Sequence, residues 1–150
     1  MASLAEPRLI RGGLAVDDRG RVSFVNDFDF TGVKRAYMAE NFDVNYVRAW
    51  HGHRHAQKWV LCVSGSALVC AAELPDPQHP DPKAKVYRFT LSASAPSILH
   101  IPALYANGFR ALEPHTRLIF FSSDTLAESN ADDFRYPGRF WDGPWAVEER

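Results

Sequence analysis

Short runs of alternating apolar and polar residues recur along most of the chain, and turn-forming residues separate them. Their length and their content of β-branched and aromatic residues are typical of strands. The predicted strands are Val22–Phe28, Val33–Ala39, Asn45–Trp50, Lys58–Val63, Ala67–Leu74, Lys85–Leu91, Ser97–Ile101, Gly108–Leu112 and Thr116–Ser122. Patterns with the 3.6-residue period of an amphipathic helix are almost absent. Strands spaced at roughly ten residues predict an all-β sandwich or barrel.

Two segments interrupt this strand pattern. The segment from Pro75 to Pro82 carries four prolines, which cannot donate hydrogen bonds to a sheet, so we expect an exposed loop. Residues 127–150 are rich in aromatic side chains, and we expect them to fold back over the barrel. The sequence therefore predicts a single domain over residues 1–150, with a core of about 15–126 and a C-terminal extension of 127–150.

Composition and charge exclude several classes of partner. The net charge of -1 gives no electrostatic reason to expect nucleic acid, and no apolar run approaches the ~18 residues of a membrane span. The N-terminus has no signal-peptide pattern. Cys62 and Cys70 both fall in predicted strands, as buried free thiols of a reducing compartment would. We therefore expect a cytoplasmic protein without a nucleic-acid or membrane partner.

Three of the six histidines stand at alternate positions in one short segment, as His51, His53 and His55. Side chains of an extended strand alternate with period two, so this spacing would place all three imidazoles on one face. Lysine and arginine residues surround them, and such a cluster is costly to bury for packing alone. The segment therefore indicates a site, either for a metal ion or for proton transfer.

The ligand set favours proton transfer over metal binding. Metal-binding cupin barrels carry an acidic ligand where this chain has Lys58, and a last histidine where it has Asn107. An ammonium group has no lone pair and repels a divalent cation. Two histidines beside a cation form a poor metal site, although His55 could in principle act as a third ligand. We therefore expect no metal and no cofactor.

Several further segments occur in a characteristic order and spacing: residues 33–37, 48–53, 58–66, 101–112 and 132–137, followed by Trp141. Together they resemble the nucleotide-sugar-modifying cupins. These are the dTDP-4-dehydrorhamnose 3,5-epimerases and the related dTDP-4-keto-6-deoxyhexose 3,4-ketoisomerases. The resemblance covers most of the chain from about residue 15 to 142. It implies an all-β, RmlC-like cupin jelly-roll barrel with a short C-terminal extension.

The resemblance implies a cofactor-free epimerase of a nucleotide-linked 4-keto-6-deoxyhexose, acting at C3 and/or C5. His51 would be the base that removes a proton, and His53 matches the second active histidine of the ketoisomerases. Lys58 would place a cation near the keto or enolate oxygen. Tyr37 matches a tyrosine near the ketoisomerase active site, where a phenol could donate a proton or stack on the substrate.

The same resemblance assigns residues to substrate binding. Arg48 would meet the diphosphate, because a guanidinium group pairs well with phosphate oxygens, and Arg35 and Arg110 are secondary candidates. Asn107 stands in the segment where the epimerases carry a second histidine, and Trp50 could form an apolar wall beside the histidines. We expect a homodimer whose partner is a nucleotide-diphosphate sugar.

Other interpretations stay open, because Phe120 occupies the place where the epimerases carry a tyrosine acid, and phenylalanine cannot deliver a proton. The paired histidines and Tyr37 favour a 3,4-ketoisomerase as the alternative. A metal-dependent cupin using His51, His53 and His55, or a non-catalytic sugar-nucleotide-binding protein, are alternatives from other classes. The sequence does not identify the carboxylate that would orient a histidine; Asp124 and Asp133 are two candidates.

Overall fold

The computed structural model describes residues 4–150, which form twelve strands and one short helix. The strands are β1 (Arg8–Arg11), β2 (Gly13–Asp17), β3 (Gly20–Phe24), β4 (Arg35–Ala39), β5 (Val47–His53), β6 (Lys58–Ser64), β7 (Ser66–Glu73), β8 (Val86–Ser92), β9 (Ser97–Ile101), β10 (Tyr105–Ala111), β11 (Arg117–Ser122) and β12 (Phe134–Arg135). The helix is α1 (Leu126–Ala131). No helix among these residues has the length and apolar content needed to cross a membrane.

Two five-stranded antiparallel sheets form the body of the protein, which confirms the predicted all-β class. The first sheet has the order β1-β9-β6-β11-β4, and the second has the order β12-β5-β10-β7-β8. Strands β2 and β3 form a separate hairpin. Sequence neighbours such as β5 and β6 lie in different sheets, so the chain repeatedly crosses between the layers, as expected for a jelly roll.

The main core lies between the two sheets and follows from the alternation along their strands. Val60 and Leu118 of the first sheet are fully buried in one cluster with Val69 and Phe109 of the second. Because side chains of a strand point alternately to its two faces, every second residue of β6 and β7 enters this layer. Burial of this apolar surface is the main force that holds the two sheets together.

The C-terminal segment covers the outer face of the second sheet. Trp50 of β5 and Trp141 are each 1% exposed, and their rings meet edge to face with centroids 5.2 Å apart. Arg88 donates from Nε to the carbonyl of Pro144 (2.7 Å), and Arg110 donates from Nη1 to the carbonyl of Trp145 (2.8 Å). A second, tryptophan-rich core therefore lies behind the strand that carries the histidines.

The observed elements differ from the predicted ones at the ends of strands and in several additional elements. Strand β5 continues to His53, whereas the predicted strand ended at Trp50, and β3 ends at Phe24 instead of Phe28. Strands β1, β2 and β12 and helix α1 were not predicted. The helix begins with a capping box, in which Thr125 and Glu128 exchange side-chain to backbone hydrogen bonds. That Thr-x-x-Glu pattern was the one sequence signal that could have indicated it.

Replacing Trp141 by alanine should lower the free energy of unfolding by about 3–5 kcal/mol, because a buried indole leaves a large cavity against Trp50. Urea denaturation followed by circular dichroism measures the change. Val147→Ala is the control: Val147 is 63% exposed in the same C-terminal segment, so its loss should change stability by no more than about 0.5 kcal/mol. Equal effects of the two substitutions would contradict a second core.

Candidate active site

One cavity of about 460 Å³ brings together seven of the eight residues predicted to form the site. These seven are Arg35, Tyr37, Arg48, His51, His53, Lys58 and Asn107. They come from both sheets: β4 and β6 supply three of them, and β5 and β10 supply the other four. The cavity also takes part of its lining from helix α1 and from the residues that follow it.

Strand β5 places His51 and His53 in the cavity because they are two residues apart on one face of the strand. Arg48 is three residues from His51 and would point to the opposite face of a regular strand. However, Asn107 pairs with His51 and Phe109 pairs with Arg48, so β5 carries one extra residue against β10. This β-bulge brings Arg48 to the same cavity as the histidines.

The first sheet supplies Lys58 and Tyr37 on the other side of the cavity. Tyr37 of β4 is the cross-strand partner of Phe120 on β11, and the two rings stack in parallel with centroids 5.0 Å apart. Nζ of Lys58 lies 5.9 Å from the centre of the Tyr37 ring. The guanidinium carbon of Arg35 lies 4.8 Å from the same ring on β4. The cationic groups of Arg35 and Lys58 therefore both lie close to the Tyr37 ring.

The structure does not bring Trp50 to the cavity. Its neighbours on β5 are His51 and Ala49, and the strand alternation turns the Trp50 indole to the outer face, where it packs on Trp141 and Trp145. Its Nε1 donates to the carbonyl of Gly138 at 3.3 Å. The predicted apolar wall beside the histidines is therefore a structural support on the reverse side of the same strand.

His55 is also separated from the other two histidines. The strand ends at His53, and His55 lies exposed in the following bend, outside the cavity lining. Within residues 4–150, no group of three histidine, cysteine, aspartate or glutamate side chains is arranged to hold a metal ion.

Positive charge dominates the cavity. Four cationic side chains, Arg35, Arg48, Lys58 and Arg135, line it together with two carboxylates, Glu40 and Asp133. Both carboxylates form salt bridges with arginines. Oε2 of Glu40 lies 3.2 Å from Nε of Arg117, and Oδ2 of Asp133 lies 2.9 Å from Nε of Arg135. Nε of Arg35 is buried and has no hydrogen-bond partner within residues 4–150. An anionic ligand would compensate this charge and satisfy that donor.

Burial and charge set the protonation states of the central groups. Burial, followed by the positive charge of Lys58, lowers the pKa of His51 and of His53 below the ordinary value of 6.5. Burial, followed by the charge of Arg35, lowers the pKa of Lys58 to about 8. Burial raises the pKa of Tyr37 to about 12. At neutral pH the cavity therefore holds two uncharged imidazoles, a protonated phenol and an ammonium group that is mostly charged.

The segment after helix α1 contributes more to the site than the sequence indicated. Asp133 lines the cavity and its charge offsets part of the lowering of the His51 pKa, whereas Asp124, the other candidate carboxylate, lies outside the lining. Arg135 and the helix residues Ser129 and Asn130 also line the cavity and were not predicted. Arg135 lies in a segment that carries part of the family resemblance, whereas the helix before it is too short for periodicity to reveal which of its residues face the cavity.

Neither a protein-family model nor a curated protein sequence matches this chain. Solved structures do match it. The QdtA 3,4-ketoisomerase from Thermoanaerobacterium thermosaccharolyticum is 19% identical, with a TM-score of 0.67 over 93% of this chain and 94% of that chain. The rmlC epimerase from Mycobacterium tuberculosis is 17% identical, with a TM-score of 0.73 over 99% of this chain and 76% of that chain.

The fold is that of the RmlC-like cupins. A third solved structure of similar fold is ChmJ, a 3′-monoepimerase from Streptomyces bikiniensis, which is 16% identical. Its TM-score is 0.71, over 91% of this chain and 72% of that chain. The predicted jelly-roll fold is therefore confirmed. The cavity lies between the two sheets of this fold, with lining residues from both.

Removing the charge of Lys58 should raise the pKa of both His51 and His53, because Lys58 destabilises their protonated forms. The variant Lys58→Gln keeps a polar side chain of similar length, and an NMR titration of the histidine ring protons measures both pKa values. Lys83→Gln removes an exposed lysine from the loop before β8 and should leave them unchanged. Unchanged histidine pKa values in Lys58→Gln would contradict the charge arrangement described here.

Proposed function

We propose that this RmlC-like cupin is a cofactor-free isomerase that epimerises a nucleotide-linked 4-keto-6-deoxyhexose at C3 and/or C5. One observation carries the proposal: two uncharged imidazoles, from His51 and His53, share a cation-lined cavity with the ammonium group of Lys58. Proton abstraction next to a ketone needs a neutral base and a positive charge near the developing oxyanion. The cavity supplies both.

In the proposed reaction, the 4-keto group acidifies the proton on C3. His51 takes that proton, the electrons of the C–H bond move to the ketone oxygen, and the resulting enolate is stabilised by the charge of Lys58. Return of a proton to the opposite face of C3 gives the epimer and restores the ketone. Tyr37 lies beside Lys58 and retains its proton at neutral pH, so it is the proposed donor.

Substrate binding is assigned to the remaining lining residues. Arg48 and Arg35 are proposed to bind the diphosphate, because guanidinium groups form paired, charge-assisted hydrogen bonds with phosphate oxygens. The buried, unpartnered Nε of Arg35 supports an acceptor at that position. Asn107 is the cross-strand partner of His51, so its amide is proposed to contact the sugar beside the reacting carbon. The amide of Asn107 is neutral and does not titrate, so its proposed role is to bind the sugar and not to transfer a proton.

The second candidate activity is 3,4-ketoisomerisation, and the arrangement of His51, His53 and Phe120 favours it. Both histidines project from one strand, so both would act on one side of the sugar. Phe120 lies in the cavity lining where the family resemblance implies an acid on the far side. In this reaction the proton removed from C3 is replaced by one delivered to C4, while the O3 proton passes to O4.

Incubation with dTDP-4-keto-6-deoxyglucose in deuterated water tests the proposal. Deuterium at C3 or C5 with inverted configuration, in a product that is still a 4-ketone, indicates epimerisation, and deuterium at C4 of a 3-keto product indicates ketoisomerisation. Deuterium at C3 with retained configuration is compatible with either activity. We expect His51→Asn to reduce incorporation roughly 100- to 10,000-fold, since it removes the general base. Binding of thymidine diphosphate, measured by calorimetry, should persist in this variant.

His55→Asn is the matched control, because His55 is exposed and lies outside the cavity lining. It should exchange deuterium at the wild-type rate. A wild-type protein that binds thymidine diphosphate but incorporates no deuterium would instead be a sugar-nucleotide-binding protein. Full exchange in His51→Asn would show that another group is the base.

We further propose that the protein is a cytoplasmic homodimer. Buried free thiols at Cys62 and Cys70 suit a reducing compartment.

The evidence for a dimer is the apolar surface that the chain exposes. Val16 and Val22 of the β2–β3 hairpin are 73% and 65% exposed, and Met38 on edge strand β4 is 73% exposed. A hairpin and an unpaired edge of this kind gain stability from a second copy. Sedimentation equilibrium should give twice the chain mass of 16.9 kDa, and a stable monomer would contradict the proposal.

A further inference from the structure

We propose that Asp132 is a positioning residue that sets the tautomer and orientation of His53. Asp132 is only 8% exposed and follows helix α1 directly. It does not line the cavity and therefore does not act on the substrate itself. Its effect passes through His53, and its catalytic consequence rests on the function proposed above.

The backbone carbonyl of Asp132 makes a hydrogen bond with Nδ1 of His53. A carbonyl oxygen can only accept, so the neutral imidazole must carry its proton on Nδ1 for this bond to form. Nε2 is then the nitrogen with the free lone pair. In a cavity where burial keeps His53 uncharged, this bond determines which nitrogen can accept a proton.

The carboxylate of the same residue holds the chain immediately after His53. One oxygen accepts from the backbone N–H of Arg54 and the other accepts from that of His55, both at 2.9 Å. Each carboxylate oxygen thus has its own donor at the point where β5 ends. Asp132 therefore fixes both the ring of His53 and the backbone that carries it.

The neighbouring backbone extends this attachment along β5. Phe134 and Arg135 of β12 pair with Gly52 and His51, and Tyr136 exchanges two hydrogen bonds of 3.1 Å with Trp50. On its other side, β5 pairs with β10. The segment from Asp132 to Tyr136, which includes the short strand β12, thus holds the histidine-bearing strand from its outer edge.

The tautomer can be measured without any substrate. Nitrogen-15 NMR of uniformly labelled protein, at a pH above the His53 pKa, distinguishes protonation on Nδ1 from protonation on Nε2. The His53 signals are identified by their absence in His53→Gln. We expect the proton on Nδ1, and a proton on Nε2 would overturn the proposal. This measurement needs no Asp132 variant, so it holds even where such a variant fails to fold.

The second test replaces the carboxylate by an amide in Asp132→Asn. An amide offers one oxygen and one NH2 group, so one of the two backbone N–H groups loses its acceptor. We expect kcat for deuterium exchange to fall roughly 10- to 100-fold through misplacement of His53, with KM little changed. The His53 signals should also show a larger fraction with the proton on Nε2.

Asp124→Asn is the control, because Asp124 is also 8% exposed but lies outside the cavity lining and does not contact β5 through the bonds described here. It should leave both kcat and the His53 signals unchanged. An Asp132→Asn protein with wild-type kcat and an unchanged tautomer would overturn the positioning role. If the wild-type protein exchanges no deuterium at all, the proposed function fails while the tautomer result still decides the role of Asp132.

Discussion

Strand β5 has to satisfy two environments at once, and the pleat of the strand allows it to do so. Its inner face places His51 and His53 in a polar cavity, whereas its outer face places Trp50 in a buried, tryptophan-rich core. Polar side chains contribute little to holding a strand in place, because their desolvation offsets most of the hydrogen-bond energy. The burial of Trp50 against Trp141 supplies the apolar contact that the inner face lacks.

The same burial controls the chemistry of the site. Imidazoles removed from water and placed near a lysine lose their affinity for protons, so they remain uncharged at neutral pH. Lys58 is buried as well, and its pKa of about 8 keeps it mostly protonated over the same range. Burial lowers the pKa of the two histidines and of Lys58. The ordinary pKa of lysine lies far above that of histidine, so Lys58 keeps its charge at a pH where the imidazoles are neutral.

Local spacing predicted the relation of His51 to His53 but not the bend that removes His55, and residues positioned by distant packing were missed. The two-residue interval between His51 and His53 was sufficient to place them on one face of a strand. Trp50 was misassigned because a strand has two faces, and only the position of residues 138–145 shows which face a tryptophan occupies. Asp132 was not singled out as a positioning residue because its contacts with His53, Arg54 and His55 cross almost eighty residues of sequence.

The stacked pair of Tyr37 and Phe120 determines where a phenol stands in the cavity. The two residues are direct cross-strand partners on β4 and β11, so their side chains occupy adjacent places on one wall. A phenol on β4 therefore starts one strand spacing, about 4.8 Å, away from a phenol on β11. That displacement is larger than the tolerance of a proton transfer, which requires hydrogen-bond contact between donor and acceptor. In the proposed reaction, a proton donated by Tyr37 would therefore start from a different strand than a proton donated by a tyrosine at position 120, so which of the two strands carries the phenol would bear on which atom of the sugar is protonated.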